Sequence, residues 1–397
     1  METPIAKSKN IIIFGFAPLT FDGGFEKIIS NLALHLKLNN QVKIITASEG
    51  INNFLTIVLS GHKCETRVNP AQIKKRLFNI KLSEIHLTDL FPLTKGFFFF
   101  RKEFGNADVI YTNSEIHYFI FIKYFLLCNK KPAIICAIHT PIVYEYAKSL
   151  KSRLHNIVYR SFLYKNLIKG EKVNFLVMNI EQKLQVKNNL CKDGRKIRII
   201  SNGIDTEKFK PQQKNRGRFF RILFAGRLTE QKGCDLLEKA IIDLSKEKEF
   251  RNMEFLFAGT GEMGFIPKRL EKRFSNVKFL GHIENMPDLY NETDLLVVPS
   301  RWEAFCFSVA EAQSCKIPVI ASDISGPNSI IINGKTGVLI EPENYKRLKA
   351  AILEMFNLHT DRPRDYELMG ELGRQNILER YSMERINKQI EDFIYEL

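Results

Sequence analysis

Apolar runs of strand length recur along this chain, and segments with helical spacing separate them. Ile11 to Phe16 predicts a strand, followed by the loop Phe21-Asp-Gly-Gly24. Glu26 to Leu38 then predicts an amphipathic helix whose apolar face is Ile28, Ile29, Leu32 and Leu36. Val42 to Thr46, Asp108 to Thr112 and Ala133 to Ile138 predict further strands, the last two separated by the helix-like stretch Ile116 to Leu127. The second half repeats the alternation. Strands are predicted at Phe220 to Gly226, Met253 to Ala258 and Leu295 to Val298, and helices at Asp235 to Leu244 and from Phe307 to Gln313. Such alternation predicts an α/β fold built on doubly wound parallel sheets. The first loop lacks Gly-x-Gly-x-x-Gly, which disfavours a dinucleotide oxidoreductase.

A length of 397 residues suits two domains, each able to bury its own core. The expected seam lies near Arg198 to Ser201, giving domains over residues 1–200 and 201–380 and a helical tail over 381–397. Charge supports that seam. Residues 1–200 hold 30 Lys and Arg against 14 Asp and Glu, a balance of +16, whereas the remaining 29 against 30 leave −1. A basic first half implies an anionic partner such as membrane lipid or a phosphorylated acceptor. Nucleic acid is disfavoured, because no recognised binding motif accompanies the charge. No segment reads as a signal peptide, and no apolar run reaches the roughly 18 to 20 residues of a membrane span. The seven cysteines form no Cys-x-x-Cys pair, as expected of reduced thiols rather than a disulfide frame or zinc site.

The candidate chemistry sits at predicted strand ends. After Phe220 to Gly226 comes a loop with Arg227 and Lys232, a planar fork and a point charge suited to phosphate oxygens. Met253 to Ala258 ends in the tight loop Gly259-Thr-Gly261-Glu262. Leu295 to Val298 ends in Pro299-Ser300 and leads into a turn carrying Glu303, Phe305 and Cys306, then a helix start at Phe307 and Ser308, with Glu311 a turn further in. Backbone N–H groups at a helix start favour an anion, and flanking carboxylates accept hydrogen bonds from hydroxyls. The pattern points to a nucleotide-sugar site. No Asp-x-Asp metal motif occurs, so no metal is expected.

From Ile199 to Pro342 the chain resembles the donor-binding domain of family 4 glycosyltransferases, retaining enzymes of the GT-B fold. The resemblance rests on Ser201-Asn-Gly-Ile-Asp205 with Phe209 and Pro211, on Phe224-Ala-Gly-Arg-Leu with Lys232-Gly233, on Glu303 to Glu311, and on Ile317-Pro-Val-Ile-Ala-Ser with Gly334-Lys-Thr-Gly337. One departure is Cys306, where the family commonly has glycine. The resemblance implies two Rossmann-like domains facing a central cleft, the first for acceptor and the second for donor, with the last helix crossing back. It implies that Gly23, Gly24, Arg227, Lys232, Phe307 and Ser308 hold the donor diphosphate. Glu303, Phe305, Cys306 and Glu311 would contact sugar and ribose, and His139 with Glu303 would act at the reacting centre. Both cations stand in a loop, where truncation is expected to cost little stability.

The implied reaction moves a hexose from a UDP- or GDP-linked sugar to a glycan or lipid-linked acceptor without cofactor. The basic clusters Lys74-Lys75-Arg76 and Arg101-Lys102 suggest a peripheral site on the cytoplasmic face of an anionic membrane. Phe97 to Phe100 reads either as a membrane wedge or as a buried helix, the latter being preferred. The alternatives are an inactive GT-B module that binds nucleotide or polyanion, and a sugar-nucleotide epimerase.

Overall fold

The computed structural model describes residues 8–15, 24–47, 53–59, 84–86, 105–113, 132–139, 173–212 and 217–397. The chain divides into two compact units, Met1–Ser201 with Ile386–Leu397, and Asn202–Arg385. Gly23, Lys74 to Arg76, Phe97 to Lys102 and the helix expected over Ile116 to Leu127 lie outside the described residues.

In the first unit the strands are β1 (Asn10–Gly15), β2 (Gln41–Ala47), β3 (Asn53–Leu59), β4 (Glu84–His86), β5 (Val109–Asn113), β6 (Ala133–Ile138), β7 (Val173–Val177) and β8 (Ile197–Ile199). Among the described residues they form one sheet in the order β4-β3-β2-β1-β5-β6-β7-β8. From β2 to β8 the neighbours are parallel, with Ile11 facing Val42 on one side and Val109 on the other. Two antiparallel strands, β3 and β4, extend the β2 edge; no sequence signal singled them out. The helix α1 (Gly24–Leu36) follows β1 and buries Ile28, Ile29, Leu32, Ala33 and Leu36. It ends before the expected Leu38, which lies off that stripe and is 53% exposed. A further helix, α2 (Ile180–Asn189), starts at Asn179, whose side chain accepts the Gln182 N–H at 2.9 Å.

The second unit is fully parallel. Its strands β9 (Phe220–Ala225), β10 (Met253–Ala258), β11 (Val277–Gly281), β12 (Leu295–Val298), β13 (Val319–Ser322) and β14 (Val338–Ile340) run in the order β11-β10-β9-β12-β13-β14. Helices α3 (Cys234–Leu244), α4 (Phe265–Arg273), α5 (Met286–Asn291), α6 (Phe307–Ser314), α7 (Ser325–Ile330), α8 (Tyr345–Asp361) and α9 (Pro363–Tyr381) connect or follow them. With helices on both faces, the strands must be apolar throughout; every residue of β10, β12 and β13 is buried. The strand order reverses between β9 and β12. In an open parallel sheet that reversal opens a crevice at the carboxyl ends, where ligands bind.

The last helix, α10 (Met383–Glu396), belongs from Ile386 onward to the first unit. Its Ile386, Ile390, Phe393 and Ile394 join Ile11, Ile13, Leu32, Val109 and Ile135 in one core. Phe393 also lies under the Arg198 guanidinium, 5.1 Å from the ring centre. Truncating Phe393→Ala should cost about 3 to 5 kcal/mol. Hydrogen exchange should then quicken in β1 and β5 while β9 and β10 keep their protection, since the second unit has separate cores.

Candidate functional site at the β9–β12 crossover

The site begins with three loops pulled together. After β9, Gly226 N–H donates to the Ala258 carbonyl at 3.0 Å, and Leu228 N–H to the Thr260 carbonyl at 2.9 Å. Leu228 is fully buried and plugs the junction of the two loops. The chain then makes the 3₁₀ turn Glu230–Lys232 and enters α3 through Gly233, whose φ of 70° is left-handed. A Cβ at Gly233 would stand 2.0 Å from the Pro299 carbonyl oxygen. Only glycine allows both that backbone and that approach, so the β9 loop closes directly on the end of β12.

Lys232 and Glu303 meet across this closure. The Lys232 ammonium donates to Glu303 Oε1, and Ser300 Oγ donates to the same oxygen at 3.0 Å. The two side chains are 19% and 7% exposed. Burial, the strongest single influence, pulls the Lys232 pKa down, but the charge and hydrogen bond of Glu303 with nearby Cys306 together hold it above the ordinary lysine value. The sequence reading gave these residues separate tasks, phosphate for one and sugar for the other; the fold places them on each other. Removing one partner of such a pair leaves a buried charge uncompensated, at about 3 to 5 kcal/mol. The expectation that truncating Lys232 costs little stability is therefore corrected. Arg227 is different: it is exposed, with Nη2 3.4 Å from Gln231 Oε1.

Glu303 is also fixed from behind. A Cβ at Gly326, in α7, would lie 2.7 Å from Glu303 Cβ, so α7 packs against the loop with no room for a side chain. Helix α6 starts at Cys306, with φ −99°, ψ 92° and no side-chain cap. Its first turn, bearing the half-buried Phe307 and Ser308, presents the positive end of the helix. Glu311, one turn on and half-buried, accepts from Tyr290 Oη at 3.0 Å. Tyr290 is buried, and burial followed by the Glu311 charge raises its phenol pKa well above 10, which keeps it a donor.

Phe305 and Cys306 are buried, 6% and 1% exposed. Phe305 packs edge-on to Phe307 at 5.0 Å and against Tyr381 at 6.0 Å. Neither side chain lines open surface, so what this segment can offer a ligand is main chain. In the first unit, His139 follows Ile138 at the carboxyl end of β6 and is half-buried, and Gly24 is the first residue of α1. Sequence reasoning missed Ser300 and Tyr290. The serine was visible as the residue after β12, but Tyr290 carries no local signal, since only the fold brings α5 beside α6.

An open parallel sheet with a lysine, a carboxylate and a helix start at its crossover is a Rossmann-like unit with a candidate anion site at the switch point. Comparison with known proteins gives the family: residues 205–393 match the glycosyl transferases group 1 family. That match spans just under half of the chain, and the whole has the GT-B fold. The chain is 27% identical over 272 residues to a 41.2 kDa protein in the cps region of Klebsiella pneumoniae, covering 65% of this chain and 71% of that one. It is 29% identical to the UDP-Gal:alpha-D-GlcNAc-diphosphoundecaprenol alpha-1,3-galactosyltransferase of Escherichia coli, over 52% of this chain and 56% of the relative. In structure it superimposes on Anabaena HepE in complex with UDP with a TM-score of 0.71 at 15% identity, over 98% of this chain and 100% of that one.

Burial first, and the nearby Glu303 next, push the Cys306 thiol up to about 12. A thiol with so little thiolate, out of solvent contact, is inert. At pH 8 the folded protein should therefore leave Cys306 unmodified by iodoacetamide while half-buried Cys191 reacts, as read by peptide mass mapping. Rapid native labelling of Cys306 would show that the loop opens.

Proposed function

We propose that the protein is a retaining hexosyltransferase. It moves a hexose from a UDP- or GDP-linked sugar to a glycan or lipid-linked acceptor during assembly of a cell-surface polysaccharide, glycolipid or protein glycan. The observation that carries this reading is the Lys232–Glu303 pair beside the start of α6, at the crossover of the second sheet. The E. coli relative, whose name specifies a UDP-linked sugar and a lipid-linked acceptor, supports the substrate class.

In this reading the donor diphosphate lies on the α6 start near Phe307 and Ser308, with Lys232 and Arg227 as its cations. Lysine has three N–H donors, so Lys232 can hold Glu303 and still reach a phosphate oxygen. Negative charge grows on the diphosphate as the glycosidic bond breaks, and fixed cations stabilise it most at that moment. Side-chain cations make a divalent metal unnecessary. Glu311, oriented by Tyr290, accepts from the ribose, and Glu303 accepts from a hydroxyl of the hexose. His139 is the first unit's candidate for the reacting sugar or acceptor. Retention follows if the acceptor oxygen attacks C1 on the face the diphosphate leaves, its proton passing to the departing phosphate oxygen. An inactive module or an epimerase has no specific observation in its favour.

The basic first half supports a peripheral place on an acidic membrane at its cytoplasmic face. Among the described residues no helix is long and apolar enough to cross a membrane.

Thermal melting in EDTA with UDP or GDP tests donor binding without metal. A nucleotide at about 100 times its Kd should add roughly 2.7 kcal/mol of stability. Arg227→Ala is the clean activity test, because the side chain is exposed. It should melt like wild type and lose about 2.7 to 4 kcal/mol of barrier lowering, on the order of a hundredfold or more in turnover. No shift with either nucleotide, or Arg227→Ala within threefold of wild type, would overturn the donor site. Flotation on acidic liposomes should succeed at low salt and fail near 1 M, where the Debye length is about 3 Å. A protein that ignores acidic liposomes at low salt has a soluble acceptor instead.

A further inference from the structure

Arg301 lies two residues before Glu303 and reads, from sequence, like one more cation for phosphate. Its surroundings say otherwise. A guanidinium has five N–H groups. Here Nη1 donates to the Glu230 carbonyl and to Asp235 Oδ1 at 2.9 Å. Nη2 donates to Asp235 Oδ2 at 2.9 Å and to Glu343 Oε2 at 3.1 Å, and Nε to Glu343 Oε1 at 2.6 Å. All five donors are used, and the side chain is only 19% exposed. The Arg301 backbone N–H adds a bond to the Gln231 carbonyl at 2.8 Å. Glu230 and Gln231 are the residues directly before Lys232, and Asp235 is in the first turn of α3. Glu343, between β14 and α8, has a φ of 61°, a left-handed backbone that non-glycine residues rarely adopt.

We propose that Arg301 is a positioning residue for the donor site: it locks the Lys232 turn to the Glu303 loop and so fixes the ammonium on which diphosphate binding depends. This rests on the donor-site reading above. A saturated guanidinium has no donor left for a ligand, and two carboxylates around it repel an anion. Its planar fork is what the geometry uses, reaching Asp235, Glu343 and the backbone at once. Lysine keeps the charge but cannot bridge these partners.

The test compares wild type, Arg301→Lys and Glu343→Gln for cooperative melting, UDP and GDP affinity, and the split of kcat and KM for the donor. Each substitution is then repeated in a Lys232→Ala background. Both variants should melt cooperatively and bind the nucleotide at least tenfold more weakly, and their losses should shrink to threefold or less once Lys232 is gone. Affinity within threefold of wild type, or losses that simply multiply with that of Lys232→Ala, would overturn the proposal. So would loss of a cooperative melt in both single variants, which would make Arg301 a residue of the fold alone. A wild type that binds neither nucleotide overturns the donor-site reading and this inference together, whereas a binding wild type with unaffected variants overturns only this one.

Discussion

A lysine and a glutamate 71 residues apart, both mostly out of water, hold the second unit's crossover together. Taking either charge out of water is costly, and the pair is tolerable only because each neutralises the other while Ser300 satisfies the carboxylate further. The glycines follow from it. Gly233 lets the lysine's turn come against Pro299, and Gly326 lets α7 come against the glutamate. A bulkier residue at either position would separate the partners and leave two unpaired charges where one ion pair now stands. The site is thus held by the chain's own contacts, and the lysine's charge is kept despite burial.

Much of the second unit was legible in sequence because its strands are buried on both faces. Met253 to Ala258 and Leu295 to Val298 are continuous apolar runs bounded by loop residues, and the fold gives them those same limits. Helix ends were less legible. The apolar stripe of α1 locates its buried face but not its last turn, so Leu38, apolar yet off the stripe, was included wrongly. The antiparallel strands β3 and β4 stayed hidden, since an apolar run such as Asn53–Leu59 does not announce its direction.

Residue types marked the place of the candidate site but not its internal wiring. Arg227, Lys232 and Glu303 fall in the loops that follow the carboxyl ends of β9 and β12, and Glu311 in the helix after the second loop, as strand–loop–helix order requires. Which of them touch is a tertiary matter. Lys232 with Glu303, Tyr290 with Glu311 and Arg301 with Asp235 and Glu343 are each joined by chain returning from elsewhere. Burial was equally invisible locally: Phe305 has the look of a loop residue near a ligand, and its ring is in the core.

Cys306 shows how such a position tolerates a change that sequence alone makes suspect. In place of the glycine common at this point it adds bulk, and a stiffer loop follows from that. The backbone there, φ −99° and ψ 92°, is open to any L-residue, so no conformational demand for glycine exists in this chain. The thiol turns inward, 1% exposed, with Sγ 3.4 Å from Ser308 Oγ. A buried side chain does not select a sugar by contact. Its effect is on the main chain: burying Cys306 in the core cluster that also holds Val309, Ala310 and Leu296 restricts the entry into α6 and so the direction of the first helical N–H groups. Under the proposed donor reading, preference at this loop would therefore come from how the core holds the backbone, with Glu303 and the start of the helix as the groups offered to a sugar.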